Sequence, residues 1–374
     1  MGWLSGWSKR VKITIDSGDI SATLADFPIL IYLSASSGID SEDITFVFDE
    51  VGVNSKKIAV TKDDGTTECY VEIEHWDNGN NKAWLWSKIP AIASGSNTDF
   101  YLYYDNSHAD NDAYVGITNS VVAENVWDVN FLMVQHMKDD PDTSHIRDST
   151  SYDNDGTKKG ANEPAVTTSG KIDDAQHFDG SDDKITISDD TELQISGNIT
   201  VEAWVNGDTY TLAKFFAPVS KWNDRDGNLR CYLLGINENE PRFYISSDGT
   251  NALKATSSET FNTGTWYHFV GTFDTDILRV YLNGILRGST DIAESSIHTN
   301  NEDVSISNDR AGGTKGQFFD GIIDEARISD IERPISWIKA SYETGDDDIL
   351  TYGNEEEASG VPAWLTMTTN WTCK

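Results

Sequence analysis

An all-β chain built as two β-sandwich domains is the fold class the sequence predicts, and three observations predict it. Apolar and polar residues alternate with period two in short runs along almost the whole chain. Each run ends in Gly, Asp, Asn or Ser, which supply turn geometry. Only one stretch, late in the chain, places apolar residues at helical spacing. Runs this closely spaced, with no helix between them, imply antiparallel sandwiches rather than a parallel sheet. At 374 residues a single core nears its practical limit, so two domains are expected.

The first domain is expected over residues 1–118. In RVKITID, Val11, Ile13 and Ile15 face one way while Lys12 and Thr14 face the other. FPILIYL from Phe27, ITFVF from Ile44, KIAVTK before the turn DDGT, CYVEIEHW from Cys69, KAWLWSKI from Lys82 and DFYLYYD from Asp99 follow as strands. The polar stretch His108 to Asn119 reads as a connection, residues 119–126 as the linker, and the second unit opens near Val126-Trp127. Over 127–354 the strands are KITIS from Lys184, NITVEAWV from Asn198, LRCYLLGI from Leu229, PRFYISS from Pro241, TWYHFVGTFD from Thr265, ILRVYLNGIL from Ile277, DVSISN from Asp303 and FFDGIIDEARIS from Phe318. The helical signal comes last. Pro334 preorganises a first turn, Ile335, Ile338 and Tyr342 share a face, and Gly345 stops it. Residues 355–374 form a C-terminal tail holding Trp364 and Trp371, apolar enough to need a cover and expected to dock on a neighbour.

Charge excludes whole classes of partner. With 28 Lys+Arg against 62 Asp+Glu the formal net charge is −34, so a nucleic-acid backbone or an anionic membrane surface would be repelled. No apolar run approaches the roughly 18 residues of a membrane span. Met1 leads directly into Gly2-Trp3-Leu4 with no secretory pattern, so no export signal is expected. Hydrophobic residues at 38% and aromatics at 11% are ample for packed cores. Cys69, Cys231 and Cys373 are too few for a disulfide framework and wrongly spaced for zinc.

Five segments carry a family resemblance: HFDGSDDKITI at His177 to Ile187, ITVEAWV at Ile199 to Val205, TWYHFVGTFD at Thr265 to Asp274, RVYLNG at Arg279 to Gly284, and FFDGIIDEARIS ending at Ser329. In this order they resemble the laminin-G-like, concanavalin-A-like jelly roll of bacterial and phage surface proteins, whose closing helix Arg333 to Tyr342 resembles as well. The first domain, with GWSKRVKITI, IEHWDN and FYLYYDN, looks like the small β-sandwich of unknown function that often precedes such jelly rolls. Such a sandwich hosts lectins, hydrolases and structural modules alike, so function must be argued from residues.

Catalysis is not expected. A glycoside hydrolase needs two carboxylates across a cleft, whereas Glu72 and Glu74 read as a solvated outer strand face. Asp324 and Glu325 are adjacent and on a strand would point to opposite faces. Neither a G-x-S-x-G elbow nor an H-E-x-x-H motif occurs, and His136 and His145 show no ligand spacing. Calcium is the cofactor considered: DSTSYDNDGT puts Asp148, Asp153, Asn154 and Asp155 on one loop. The resemblance implies that Asp324 or Glu325, in the GIIDEAR strand, would complete the shell. The same loop also reads as an ion-free Asx turn; an EF-hand is excluded by its missing twelfth-position Glu. Asp179 caps the turn that Gly180 permits. For sugar, SKWNDRDGN offers Trp222, Asn223, Asp224 and Asp226 in a loop, against the ordinary reading that most tryptophans are buried.

These readings lead to a non-enzymatic virion surface protein, a capsid decoration or a tail or fibre component, displaying a lectin-like jelly roll. Its expected partners are other virion proteins or its own copies, and host surface glycans. The alternatives are a secreted or cell-surface calcium-dependent adhesion module and a glycoside hydrolase.

Overall fold

The computed structural model describes residues 2–160, 163–210, 215–224, 227–308 and 318–358. In the first sandwich, β1 (Lys9–Ile15), β2 (Leu24–Leu33), β3 (Ile58–Thr61), β4 (Glu68–Cys69), β5 (Val71–Asp77), β6 (Lys82–Ile92), β7 (Thr98–Tyr104) and β8 (Val115–Ile117) form two sheets. One has β1 beside β7, β3 and β4; the other runs β2, β6, β5, β8. The alternation works as expected, since Val11, Ile13 and Ile15 are fully buried between the sheets.

One expected strand is a helix. ITFVF has the pattern of a strand, but Phe46–Val51 forms α1. Asp43 accepts the Thr45 N–H and hydroxyl just before it, and Val47, Phe48 and Val51 then bury one helical face. Gly52, at φ +55°, donates its N–H to Phe48 O and ends it.

The second sandwich faces two eight-stranded sheets against each other. One carries the strands Phe215–Asn223, Leu229–Asn237 and Glu240–Ile245 side by side; the other centres on Asp320–Ser329 between Ala175–Asp179 and Ile199–Gly207. Strand Phe131–Gln135 also pairs with Asp320–Ser329. The jelly-roll expectation and the single late helix, α2 (Ile335–Gly345), both hold.

The two units interlock. The last described strand, Leu350–Glu357, leaves the second sandwich and pairs antiparallel with β1 of the first. Residues 350–354, expected in the second domain, and the beginning of the expected tail thus complete the first sheet; Trp364 and Trp371 lie outside the described residues. Helix α2 wedges between the sandwiches. Trp337 meets Phe27 edge-on at 4.8 Å, Thr344 Oγ1 accepts the Leu30 N–H, and Ile338 packs with Val270 and Tyr281. Gly345, the last residue of α2, lies so close to Trp204 that a Cβ there would sit 2.9 Å from the indole, so the close approach, rather than the end of the helix, requires glycine. One apolar cluster accordingly runs from Val11 and Phe27 through Trp127, Phe131 and Ile172 to Trp337.

Candidate functional site

The loop expected to hold calcium is stitched to its own chain. Asp148 is fully buried; its Oδ1 accepts N–H bonds from Val134 and Thr150, and its Oδ2 accepts the Thr150 hydroxyl and the Asn154 N–H. Asn154 donates its side-chain amide to Leu132 O, Asp155 accepts the Asp148 N–H, and exposed Asp153 accepts from Asn119. Asp324 accepts the N–H groups of Ile172 and Glu325. The oxygens of buried Asp148 and Asp324 are taken by protein donors, so these two do not fit the oxygen shell of six to eight ligands that calcium takes. Among the described residues no hydrogen bond joins this loop to Asp324 or Glu325. The loop folds as a turn around Asp148, and burial pushes Asp148 up to about 7 against the pull of its donors.

The expected sugar platform is also displaced. Trp222 and Asn223 end a strand rather than sit in a loop. Trp222 packs with Ala217, Leu233 and Tyr244 and is 7% exposed, which leaves no free face for stacking. Asn223 is buried; Asp226 lies outside the described residues. Asp179 caps its turn as expected, accepting N–H bonds from Ser181 and Asp182 beside Gly180 at φ +68°.

The densest chemistry lies at the seam, where Glu325 of the expected calcium set meets two glutamates expected on a solvated face. Glu72 and Glu74 do not face solvent, because the second sandwich covers their side of β5. Glu72 Oε2 accepts the Trp127 indole N–H and its Oε1 the Ser149 hydroxyl, both at 2.7 Å. Glu74 Oε2 accepts the Trp86 indole N–H at 2.7 Å, and Lys138 donates to the Glu74 carbonyl. His136 Nδ1 lies 2.6 Å from Glu325 Oε1 and 3.5 Å from Glu74 Oε2. Arg327 donates to Glu325 Oε2 at 2.5 Å and lies 4.6 Å over the Trp86 ring.

Two irregularities aim these acids. Pairing of β5 with β6 slips between Ile73 and His75, at Glu74. Pairing of Asp320–Ser329 with Ile199–Gly207 slips around Glu325, whose φ is +50°. A bulge turns a side chain off its strand alternation. That is why Asp324 and Glu325 are both buried, rather than divided between core and solvent.

Electrostatics follow from burial and neighbours. Burial pushes Glu74 up to about 8 against the pull of His136, with Glu325 adding to the rise. Burial also opposes charge on Glu72 and Glu325. His136 and hydrogen bonds nonetheless hold Glu72 below the usual range, and His136 with Arg327 does the same for Glu325. Burial would lower His136, but Glu325, Glu74 and Glu72 raise it well above 6.5. Burial and the nearby Glu325 push Asp324 well up. Glu72, Glu74, His136 and Glu325 are each at most 2% exposed, so no polymer chain reaches them.

Open clefts lie elsewhere on the seam. One of about 270 Å³ is lined by Tyr32, Trp84, Lys171, Asp173, Asp346 and Asp347. Tyr32 and Trp84 are half-buried, with ring centroids 5.2 Å apart, and His75 stacks on Trp84 while bonding Asp173. Asp347 accepts the Gly38 N–H. Another cleft, of about 460 Å³, is bordered by Trp127, Phe131 and Tyr152.

Residues 179–339 match the family described as the Concanavalin A-like lectin/glucanases superfamily, of the laminin-G type, and residues 54–123 match a domain of unknown function, DUF2341. No curated protein matches the chain. Among solved structures, the chain is similar to the binding domain of Paraclostridial Mosquitocidal Protein 1, with 13% identity over 57% of this chain and 52% of that one and a TM-score of 0.47. It is similar to domain 4 of AbnA, an extracellular arabinanase from Geobacillus stearothermophilus solved with arabinotriose, with 21% identity over 56% of this chain and 97% of that one and a TM-score of 0.43. The botulinum neurotoxin serotype G binding domain gives 16% identity over 57% of this chain and 50% of that one, at a TM-score of 0.45. The chain thus spans about half the length of the two toxin binding domains.

Proposed function

From a chain that carries a laminin-G-like, concanavalin-A-like domain behind a DUF2341 domain, we propose a non-enzymatic recognition module, displayed on a virion surface, that binds glycans. The observation carrying this reading is the seam cleft, where the half-buried rings of Tyr32 and Trp84 stand beside Asp173, Asp346, Asp347 and Lys171. Sugar recognition combines an aromatic face for the ring's C–H side with charged and polar groups for its hydroxyls. The clustered glutamates that could suggest hydrolysis are sealed from solvent, which supports binding over cleavage. A net charge of −34 would keep many displayed copies soluble and discourage adhesion between particles.

A glycan array tests the binding part: wild type should retain a defined set of glycans, and Trp84→Ala should lose it while folding normally. Silence of the wild type across the array, or full retention by Trp84→Ala, would sink this cleft as the site. Mass spectrometry of purified particles tests the setting, and absence of the chain from intact virions would remove it.

A further inference from the structure

We infer that Glu74, His136 and Glu325 form a binding site for a divalent transition-metal ion of the Zn²⁺ class, with the ion tying the two sandwiches together. The three residues each offer one ligand atom, and those atoms lie within 4.8 Å of one another. Glu74 comes from the first sandwich; His136 and Glu325 come from the second. Two carboxylates and one imidazole make a donor set that suits zinc, with a fourth position left for water.

An independent observation points to a ligand. Glu74 Oε1 is buried and has no hydrogen-bond partner, a costly state for a carboxylate oxygen unless something else fills it. Its sister oxygen is held by Trp86, so the free atom belongs to an oriented side chain. His136 Nδ1 lies 3.5 Å from the Trp86-held Oε2 of the same carboxylate, which brings the Glu74 carboxylate within coordinating reach of the imidazole. The 2.6 Å contact between Nδ1 and Glu325 is the hydrogen bond that coordination would replace, opening by about 0.8 Å to tetrahedral spacing.

The outer partners are present as well. Metal-bound histidines donate their other ring N–H to a carboxylate; His136 Nε2 makes no hydrogen bond in this structure, and Glu72 Oε1 lies 3.4 Å from it. Trp127 and Ser149 hold that carboxylate in turn, Trp86 holds Glu74, and Arg327 holds Glu325. The exposed trio Asp179, Asp182 and Asp183 lacks such support; its Asp179 is engaged in capping its own turn.

The test uses the full chain, stripped with chelator, refolded with or without Zn²⁺ and desalted. Elemental analysis should find about one zinc per chain, and Zn²⁺ should raise the melting temperature. Glu74→Gln keeps an acceptor for Trp86, and it should retain less than about a tenth of that zinc with little change in metal-free melting. Co²⁺ loaded into wild type should give visible d–d absorption bands, a readout that depends on no variant. Failure of the refolded wild type to hold Zn²⁺ or Co²⁺ would overturn the proposal. So would full zinc retention by Glu74→Gln and His136→Gln, which would place the ion elsewhere.

Discussion

Glu72 is the acceptor that holds the seam shut, and replacing it with Met should cost about 4 kcal/mol. The substitution keeps length but removes both oxygens, stranding the Trp127 N–H and the Ser149 hydroxyl, each of which donates to Glu72 at 2.7 Å in a fully buried position. Two stranded donors at about 1.5 kcal/mol each give about 3 kcal/mol. Loss of the negative charge 3.4 Å from His136 adds about 1 kcal/mol, and the sum falls within the roughly 3–5 kcal/mol seen when one member of a buried ionic set is removed. Glu72→Gln keeps one acceptor oxygen and should lose about half as much. Urea unfolding followed by circular dichroism and by tryptophan fluorescence is the assay, because Trp86 and Trp127 both sit in the seam. Wild type should unfold in one transition by both probes. In Glu72→Met the fluorescence transition should come first as the sandwiches separate. With a urea slope of about 3 kcal/mol/M, the midpoint should fall by about 1.3 M. A Trp127→Phe double-mutant cycle should return a coupling of about 2 kcal/mol. A loss below about 1 kcal/mol, or coincident probes in the variant, would refute the view that Glu72 locks the domains.

Stability of the metal-free protein should peak between mild acid and neutrality. Glu72 and Glu325, held below 4.5, stabilise above that value and lose their contribution as pH falls through their folded values. His136, raised well above 6.5, stabilises fully below 6.5 and loses this as pH rises through its folded value; Glu74's share is lost between 4.5 and about 8. Calorimetry across pH should therefore show the melting temperature dropping as pH rises above about 6.5, and a flat limb from there to the alkaline side would contradict this. Trp222→Ala should destabilise by about 3–5 kcal/mol as a core deletion, measured by urea unfolding; a stable variant would show that the ring is not packed as described. Residues 1–118 expressed alone should fail to give a cooperative fold by circular dichroism, whereas appending Leu350–Glu357 through a linker should restore one, because that strand pairs with β1. Adding Ca²⁺ to the metal-free protein should leave its melting temperature unchanged, since the Asp148 oxygens accept from protein donors; a rise would reinstate a calcium loop.

Local pattern along the chain was enough for the sandwich class, most of its strands and the late helix, because period-two alternation and turn residues act over a few residues and need no knowledge of the partner sheet. It also determined the turn at Asp179-Gly180, a local affair. ITFVF is the miss: five residues, mostly apolar, suit a strand or a helix equally, and only the packing of Val47, Phe48 and Val51 decides. VEIEHW misleads for a deeper reason: alternate glutamates look solvated unless one knows that a second sandwich brings Trp127, His136 and Ser149 over them. The one hint was that Val71 and Ile73 already fill the opposite face, so covering the acids needs only a partner, and that partner lies some sixty residues away in sequence, as Glu72 to His136. The bulges that aim Glu74 and Glu325, the return of Leu350–Glu357 to β1, and the burial of Trp222 were likewise settled by tertiary structure. Pattern along a chain specifies which face a residue takes; what covers that face depends on contacts between distant segments, and burial, charge state and ligand-forming geometry all follow from that cover.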